Sequence, residues 1–396
     1  MPKLTDLSIF DGKENLESAG LYNLGPIKAL PQFSNKIEVL GLEGLSELTD
    51  ISSIENYPEI FGADFADLPK IEDMSVLGTL PKLSQLYVSK CPVHDMSWLA
   101  NLKELEMLSL TELPNVTDLS AIASTPIYHL RIINLPSLED LTFLNEKSFR
   151  EVGLSYTKEQ EAKGQPEQLR KVTGKSADTG EDIPGLNLDV SFFSWNDLSV
   201  FTGLIPGSQL SVHSENICDL TPLKPIVETV RIYVSTTNWV KAAVDGRFTF
   251  KCVDPFGKQV ELTSNDEYEI VPIEGEDGVY QVLFADSPYG NPGLVEAKFE
   301  TGWVTIDEAY QEPRPENVFL GKVFIEIPFE EDDGSTDPTD PKPTDPKPTD
   351  PKPTDPKPTD PVKPPATGEA TYAGWAMLMF VMVIGLTAVV LRKRTD

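Results

Sequence analysis

Residues 83–97 read LSQLYVSKCPVHDMS, residues 105–120 read LEMLSLTELPNVTDLS and residues 127–142 read IYHLRIINLPSLEDLT. The three lines carry one pattern. Apolar side chains stand at Leu83, Leu86 and Val88, at Leu105, Leu108 and Leu110, and at Ile127, Leu130 and Ile132. Each triplet is followed by Asp, an apolar residue and Ser or Thr: Asp95-Met96-Ser97, Asp118-Leu119-Ser120, Asp140-Leu141-Thr142. Upstream, Asp50-Ile51-Ser52 and Asp73-Met74-Ser75 keep the beat, so the Asp steps are 23, 22, 23 and 22 residues. The phrase returns at Asp6, Asp197 and Asp219, and one slot carries Ala29 instead of Asp. The triplet returns at Ile37, Leu40, Leu42 and at Phe149, Val152, Leu154. Weaker copies sit at Leu16, Ala19, Leu21 and at Ile60, Ala63, Phe65, and later ones centre on Leu188, Val190 and on Leu210, Val212.

A repeat of this length cannot bury its own apolar edge, but a stack of repeats makes one continuous core. The period and the internal spacing define a leucine-rich repeat, with one short strand per unit and a return along the convex side. Residues 1–223 are therefore expected to form a leucine-rich-repeat solenoid with a parallel β-sheet on its concave face. The recurrent Asp is expected to bond turn amides. The register breaks between Leu154 and Leu188. The polar segment near 155–184, TKEQEAKGQPEQLRKVTGKSADTGED at its centre, reads as an excursion loop leaving the stack.

From 224 to 330 the rhythm changes to short β-rich runs, including Thr229 to Val234, Arg247 to Val253, Val279 to Phe284 and Val318 to Ile327. Turn signals such as Asp254-Pro255-Phe256-Gly257 separate them. About 100 residues of such runs are expected to form a β-sandwich of immunoglobulin-like type. Trp239 and Trp303 read as core aromatics.

Beyond the acidic stretch Glu330-Glu331-Asp332-Asp333, the unit PKPTD recurs every five residues up to Pro365. Proline biases its predecessor to extended backbone and donates no hydrogen bond. Residues 331–365 therefore read as an extended stalk, at about 3.1 Å per residue. A Pro-rich ligand for a peptide-binding domain is the other reading of the same residues. Residues 372–391, YAGWAMLMFVMVIGLTAVVL, carry no charge and are long enough for one transmembrane helix. Arg392, Lys393 and Arg394 follow, and basic residues stay on the cytoplasmic side.

The pentapeptide Pro364-Pro365-Ala366-Thr367-Gly368, the apolar span and the short basic tail resemble, over 364–396, the sorting signal of sortase substrates, usually written LPXTG. The resemblance implies cleavage between Thr367 and Gly368 and transfer of Thr367 to peptidoglycan, with Pro365 kinking the peptide into the sortase groove. Pro364 stands where that family carries Leu. The period and the Asp-apolar-Ser turn resemble, from residue 4 to about 223, the internalin-type repeats of Gram-positive surface proteins. Those repeats carry an Asn three residues after the last strand apolar, and here that slot holds Leu45, Leu68, Cys91, Leu113 or Leu135. An amide ladder is thus replaced by apolar packing. The internalin likeness implies an immunoglobulin-like domain after the repeats. Met1 leads directly into the turn Asp6-Leu7-Ser8 with no basic and apolar leader, so the start of the exported protein is expected upstream.

A balance of 33 basic to 63 acidic residues gives a net charge of −30, which repels nucleic acid and anionic membranes. Cys91, Cys218 and Cys252 allow one disulfide at most, and the sequence leaves the pair open. Cys91 and Cys218 fall inside the repeats and read as small core residues. His94, His129 and His213 are too scattered to share a metal, and no phosphate loop or HExxH is present. No catalytic residue, cofactor or metal is therefore expected, and the chain reads as a binder. Residues between the strand apolars face out of the concave sheet. Tyr87, Met107, His129 and Arg131 are the first candidates there for a protein partner, since aromatic and Arg anchors dominate interfaces. The expected function is a wall-anchored, adhesin-like surface protein gripping a protein on a host or neighbouring cell. A passive surface protein, or a wall-attached hydrolase, are the rival classes.

Overall fold

The computed structural model describes residues 13–145, 149–175, 186–264, 268–284, 293–306 and 313–328, with Leu7, Phe10, Gly180 and Asp182. The stalk, the sorting signal with Pro365, Thr367 and Gly368, and the apolar span 372–391 lie outside the described residues. Among the described residues no helix is long and apolar enough to cross a membrane.

The repeated triplets become strands: β1 (Ser18–Tyr22), β2 (Val39–Glu43), β3 (Gly62–Ala66), β4 (Gln85–Ser89), β5 (Met107–Thr111), β6 (His129–Ile133), β7 (Glu151–Ser155), β8 (Asn187–Ser191) and β9 (Gln209–Glu215). Each pairs with the next in parallel and in step, so Leu40, Ala63, Leu86, Leu108, Leu130, Val152, Leu188 and Leu210 form one row. Every member of that row is buried. Burying such side chains stabilises by about 1.5–3 kcal/mol for each Leu or Val. A leucine-rich-repeat solenoid follows from this register.

Immediately after most strands one residue takes a left-handed backbone: Asn23, Gly44, Asp67, Lys90, Glu112, Asn134 and Asn216. Its N–H donates to a carbonyl of the following strand, the last one in every case but that of Asn216, as from Lys90 to Thr111 at 3.1 Å. The chain is thereby turned off the sheet without orphaning a donor. Leu45, Leu68, Cys91, Leu113 and Leu135 follow and are buried, so apolar packing fills the place of a side-chain amide ladder. On the convex side, short 3-10 helices such as Ser75–Thr79, Ser97–Asn101 and Ser120–Ser124 close each unit. The recurrent Asp opens them: Asp73 accepts from the Ser75 amide at 2.7 Å, and Asp50, Asp95, Asp118, Asp140, Asp197 and Asp219 repeat the bond.

The polar segment expected to leave the stack stays on it through residue 172. Thr157 caps α1 (Lys158–Ala162) in a capping box with Gln160, and a 3-10 helix, Gln165–Lys171, follows. Gln160 Nε2 donates to the carbonyls of Leu135 and Leu138, at 3.1 and 3.4 Å. Gln165 Nε2 donates to Leu138 at 3.0 Å and Gln168 Nε2 to Glu139 at 3.0 Å. Leu169 is fully buried beneath them. The glutamines look solvent-facing in sequence, but they serve the backbone of the preceding turn.

Past the repeats the sheet continues. β10 (Arg231–Lys241) pairs in parallel with β9 and also with β15 (Pro313–Ile327), which pairs antiparallel with β14 (Gly293–Ile306). A second sheet holds β11 (Arg247–Thr249), β13 (Val279–Phe284) and β12 (Tyr268–Pro272), in that order. Phe250 meets Phe299 across the two layers at 5.9 Å between ring centroids, and the Tyr268 hydroxyl donates to the Glu296 carbonyl. Trp239 does not join this core. It is 52% exposed and stacks on Phe324 at 4.6 Å, because odd-numbered residues of β10 point to the open face. Trp303 packs partly buried against the core.

Candidate functional site

The strand periodicity puts three parallel rows on the concave face. One runs through Gln85, Met107, His129, Glu151, Asn187, Gln209 and Arg231, and the next through Tyr87, Ser109, Arg131, Gly153, Asp189, Ser211 and Tyr233. The third holds Ser89, Thr111, Ile133, Ser155, Ser191, His213 and Ser235. Met107 and His129 are direct cross-strand neighbours. Tyr87 and Arg131 share a row with Ser109 between them, two strand spacings or about 10 Å apart along the sheet. Burial and then the Asp64 charge raise the Tyr87 pKa, and the Arg131 charge opposes them from across Ser109.

Glu151 ties the basic pair together. Its carboxylate lies 3.3 Å from His129 Nδ1 and 3.6 Å from Arg131 Nη2. Gly153, next along β7, provides the room in which Arg131 lies. The ring of Tyr128 packs at 4.6 Å from that of His129 and fixes its edge. This produces a half-exposed patch of aromatic, thioether and guanidinium surface over one acidic anchor.

Further along, a hollow of about 470 Å³ opens over β7 to β10, lined among others by Glu151, Asp189, Ser211, Arg231 and Tyr233. His213 stands beside it, bonded to Ser235 Oγ at 2.6 Å and to Ser211 Oγ at 3.3 Å, with Asp189 at 3.8 Å. Desolvation depresses the His213 pKa, against the pull of Asp189. At the other end, burial and then Glu43 push the Asp64 carboxyl up to about 6. Tyr22 lies over Gly20 and Gly41 beside it.

Glu151, Asp189 and His213 also stand on this face, beyond the four residues that the sequence singles out. The linking role of Glu151 was in principle visible, because a carboxylate one register step from His129 is its nearest cross-strand neighbour. The hollow over β7 to β10 had no comparable signal, because its lining residues come together only through the register of four strands. The exposed Trp239–Phe324 stack had none, because β15 joins β10 from far along the chain. Among the described residues no three His, Cys, Asp or Glu side chains gather as metal ligands.

No protein-family model and no characterised sequence matches the chain. Solved structures of internalins align with it. One is inlF of Listeria monocytogenes, at 20% identity and a TM-score of 0.43, covering 57% of this chain and 62% of that one. Internalin C2 of the same organism aligns at 18% identity and a TM-score of 0.28, over 51% of this chain and 72% of that one. The functional domain of InlJ, also from Listeria monocytogenes, aligns at 11% and 0.33, over 74% and 67%, and is described as including a cysteine ladder. The chain spans less than two thirds of the inlF chain's length. It is similar to these internalins, and its own strand register makes it a leucine-rich-repeat protein.

Proposed function

We propose that this chain is an adhesin-like surface protein whose concave face binds a protein on a host or neighbouring cell. The observation that supports the reading is the patch Tyr87, Met107, His129 and Arg131 on three successive strands, with Glu151 of the next strand beside His129 and Arg131. Anchors of this kind, on a rigid sheet, bind protein surfaces with little entropy lost on ordering. Its shape is open and mostly uncharged in sum, so it suits a macromolecular surface better than an enclosed small molecule.

The attachment reading rests on sequence alone. A sortase would cut between Thr367 and Gly368 and join Thr367 to peptidoglycan of a Gram-positive wall, with 372–391 holding the precursor in the membrane. The Pro-rich stalk would lift the repeats off the wall, and the two-layer region 224–330, read as immunoglobulin-like, would shield their last edge. Gly368→Ala should shift the chain from the wall fraction to the membrane fraction if that reading is right.

The binding test uses the full chain displayed on a non-adherent carrier cell. Replacing Tyr87, His129 and Arg131 together by Ala should abolish attachment to target cells while the circular dichroism spectrum and melting temperature stay in place. Attachment unchanged by the triple replacement would point to the passive surface role.

A further inference from the structure

Cys218 follows the last repeat strand, and Cys252 follows β11 in the two-layer region. Their backbones run side by side. Asp219 and Val253 form a parallel bridge, the Val253 amide donates to the Cys218 carbonyl at 2.9 Å, and the Leu220 amide donates to the Val253 carbonyl at 3.1 Å. Paired strands lie about 4.8 Å apart, inside the roughly 4.4–6.8 Å between Cα atoms that a disulfide spans. The side chains also meet, close enough for each thiol to shift the ionisation of the other. Cys252 Sγ further approaches the Ile217 carbonyl at 3.5 Å, and Cys218 Sγ approaches Asn238 Oδ1 at 3.1 Å.

Cys91 is a different case. It is buried at the turn after β4, five strands away from β9, or about 24 Å. It cannot reach either partner. The geometry therefore resolves the choice that the sequence left open, and both thiols of the matched pair are free in this structure.

We propose that Cys218 and Cys252 are a disulfide-forming pair, closed by thiol–disulfide exchange with a small-molecule or protein disulfide, and that the bond clasps the last repeat to the following sheet. Entry is through Cys218, which is half-buried, because Cys252 has no exposed surface. The contact between the two thiols favours the Cys218 thiolate and disfavours that of Cys252, which gives the same order. Cys218 loses its proton and its sulfur attacks the oxidant disulfide. A mixed disulfide forms at Cys218 and one thiolate leaves and takes up a proton. Cys252 then gives up its proton and attacks the Cys218 sulfur, and the second thiolate leaves and is protonated. Two protein thiols are oxidised to one disulfide and the oxidant is reduced to two thiols. The bond closes the chain segment from 218 to 252 and holds β11 against the end of the repeat stack. The inference stands independently of what the concave face binds.

The test is to incubate the full chain with oxidised glutathione, block free thiols by alkylation, digest without reduction and map peptides by mass spectrometry. The expected product joins the Cys218 and Cys252 peptides, is lighter by about 2 Da, and leaves Cys91 as the single thiol alkylated after denaturation. Three alkylated cysteines, a link through Cys91, or glutathione retained on Cys218 would each overturn the pairing. The oxidised chain should also melt about 5 °C or more above the reduced chain, an increment absent in Cys252→Ser. Equal melting with the bond in place would overturn the clasp.

Discussion

Arg131 lies across Gly153: a methyl group added at Gly153 would stand 3.3 Å from Arg131 Cγ and 3.4 Å from its Nε. The two residues face each other on adjacent strands, β6 and β7. An Arg stem laid over a bare strand keeps its guanidinium beside Glu151 instead of extending into solvent. Gly153 is thus part of what presents Arg131.

The consequence is a loss of attachment from a residue that has no side chain. Gly153→Val should displace Arg131 and weaken adhesion of the displayed full chain about tenfold, close to the effect of Arg131→Ala. The two changes together should be no worse than either alone, since both remove one arrangement. Stability should hold within about 1 kcal/mol, because a β-branched residue suits a strand better than Gly does. Additive losses in the double variant would show that Gly153 acts by another route.

Gln160 supports the irregular repeat from inside. Its amide nitrogen serves the Leu135 and Leu138 carbonyls, and its oxygen accepts from the Thr157 amide at 3.0 Å. Gln160→Leu removes both bonds, although the Leu138 carbonyl keeps Gln165 Nε2 and the Leu135 carbonyl keeps the Leu138 amide, at a cost of about 1–1.5 kcal/mol. Lys163→Ala, which breaks the exposed ion pair with Glu139, should cost less than about 0.5 kcal/mol. Urea unfolding of the two variants measures the difference, and equal midpoints would refute a plugging role for Gln160.

That segment also marks the boundary of what the sequence reveals. The repeat stack was legible because one apolar spacing recurs wherever a strand must bury the same edge, from Leu40 to Leu210. The Asp turns were legible because the side chain bonds an amide only two residues away, a purely local event. Gln160 and Gln165 were not, since a buried amide that satisfies a distant backbone has the same composition as a solvated loop. Trp239 was misplaced for a related reason. Its side depends on pairing with β15, some 80 residues later, and not on local alternation alone. In the candidate patch, the outward positions followed from period two, whereas the grouping of His129 and Arg131 on Glu151 required the register between strands.

Asp64 makes the concave face sensitive to pH. Its folded carboxyl is raised to about 6, first by burial and then by Glu43, against an ordinary value of 3.8. The folded state therefore holds a proton that the unfolded state releases. The stabilisation is full below the ordinary value and is lost as pH rises through about 6. At neutral pH the charge remains as a penalty. Asp64→Asn should stabilise the protein by about 1–2 kcal/mol at neutral pH, after allowance for partial exposure, and by nothing measurable near pH 4. Thermal melts across that window test it, and a constant difference would place the effect elsewhere.

The turn carboxylates should show the opposite sign. The Ser75 amide, and then its hydroxyl, hold the Asp73 pKa below the ordinary carboxylate value, and Ser52 does the same for Asp50. A depressed folded pKa contributes stability above the ordinary value and loses it as pH falls through the folded one. Asp73→Ala should therefore cost about 1 kcal/mol at neutral pH, the usual worth of such a cap, and progressively less in acid. Asp140→Ala should add to it almost independently, because the two turns are three repeats apart. Measured side by side, Asp64→Asn gains as pH rises while Asp73→Ala loses as pH rises, although both remove one carboxylate from the same repeat stack. Parallel pH profiles for the two would mean that net charge, and not the local bond and burial, governs both.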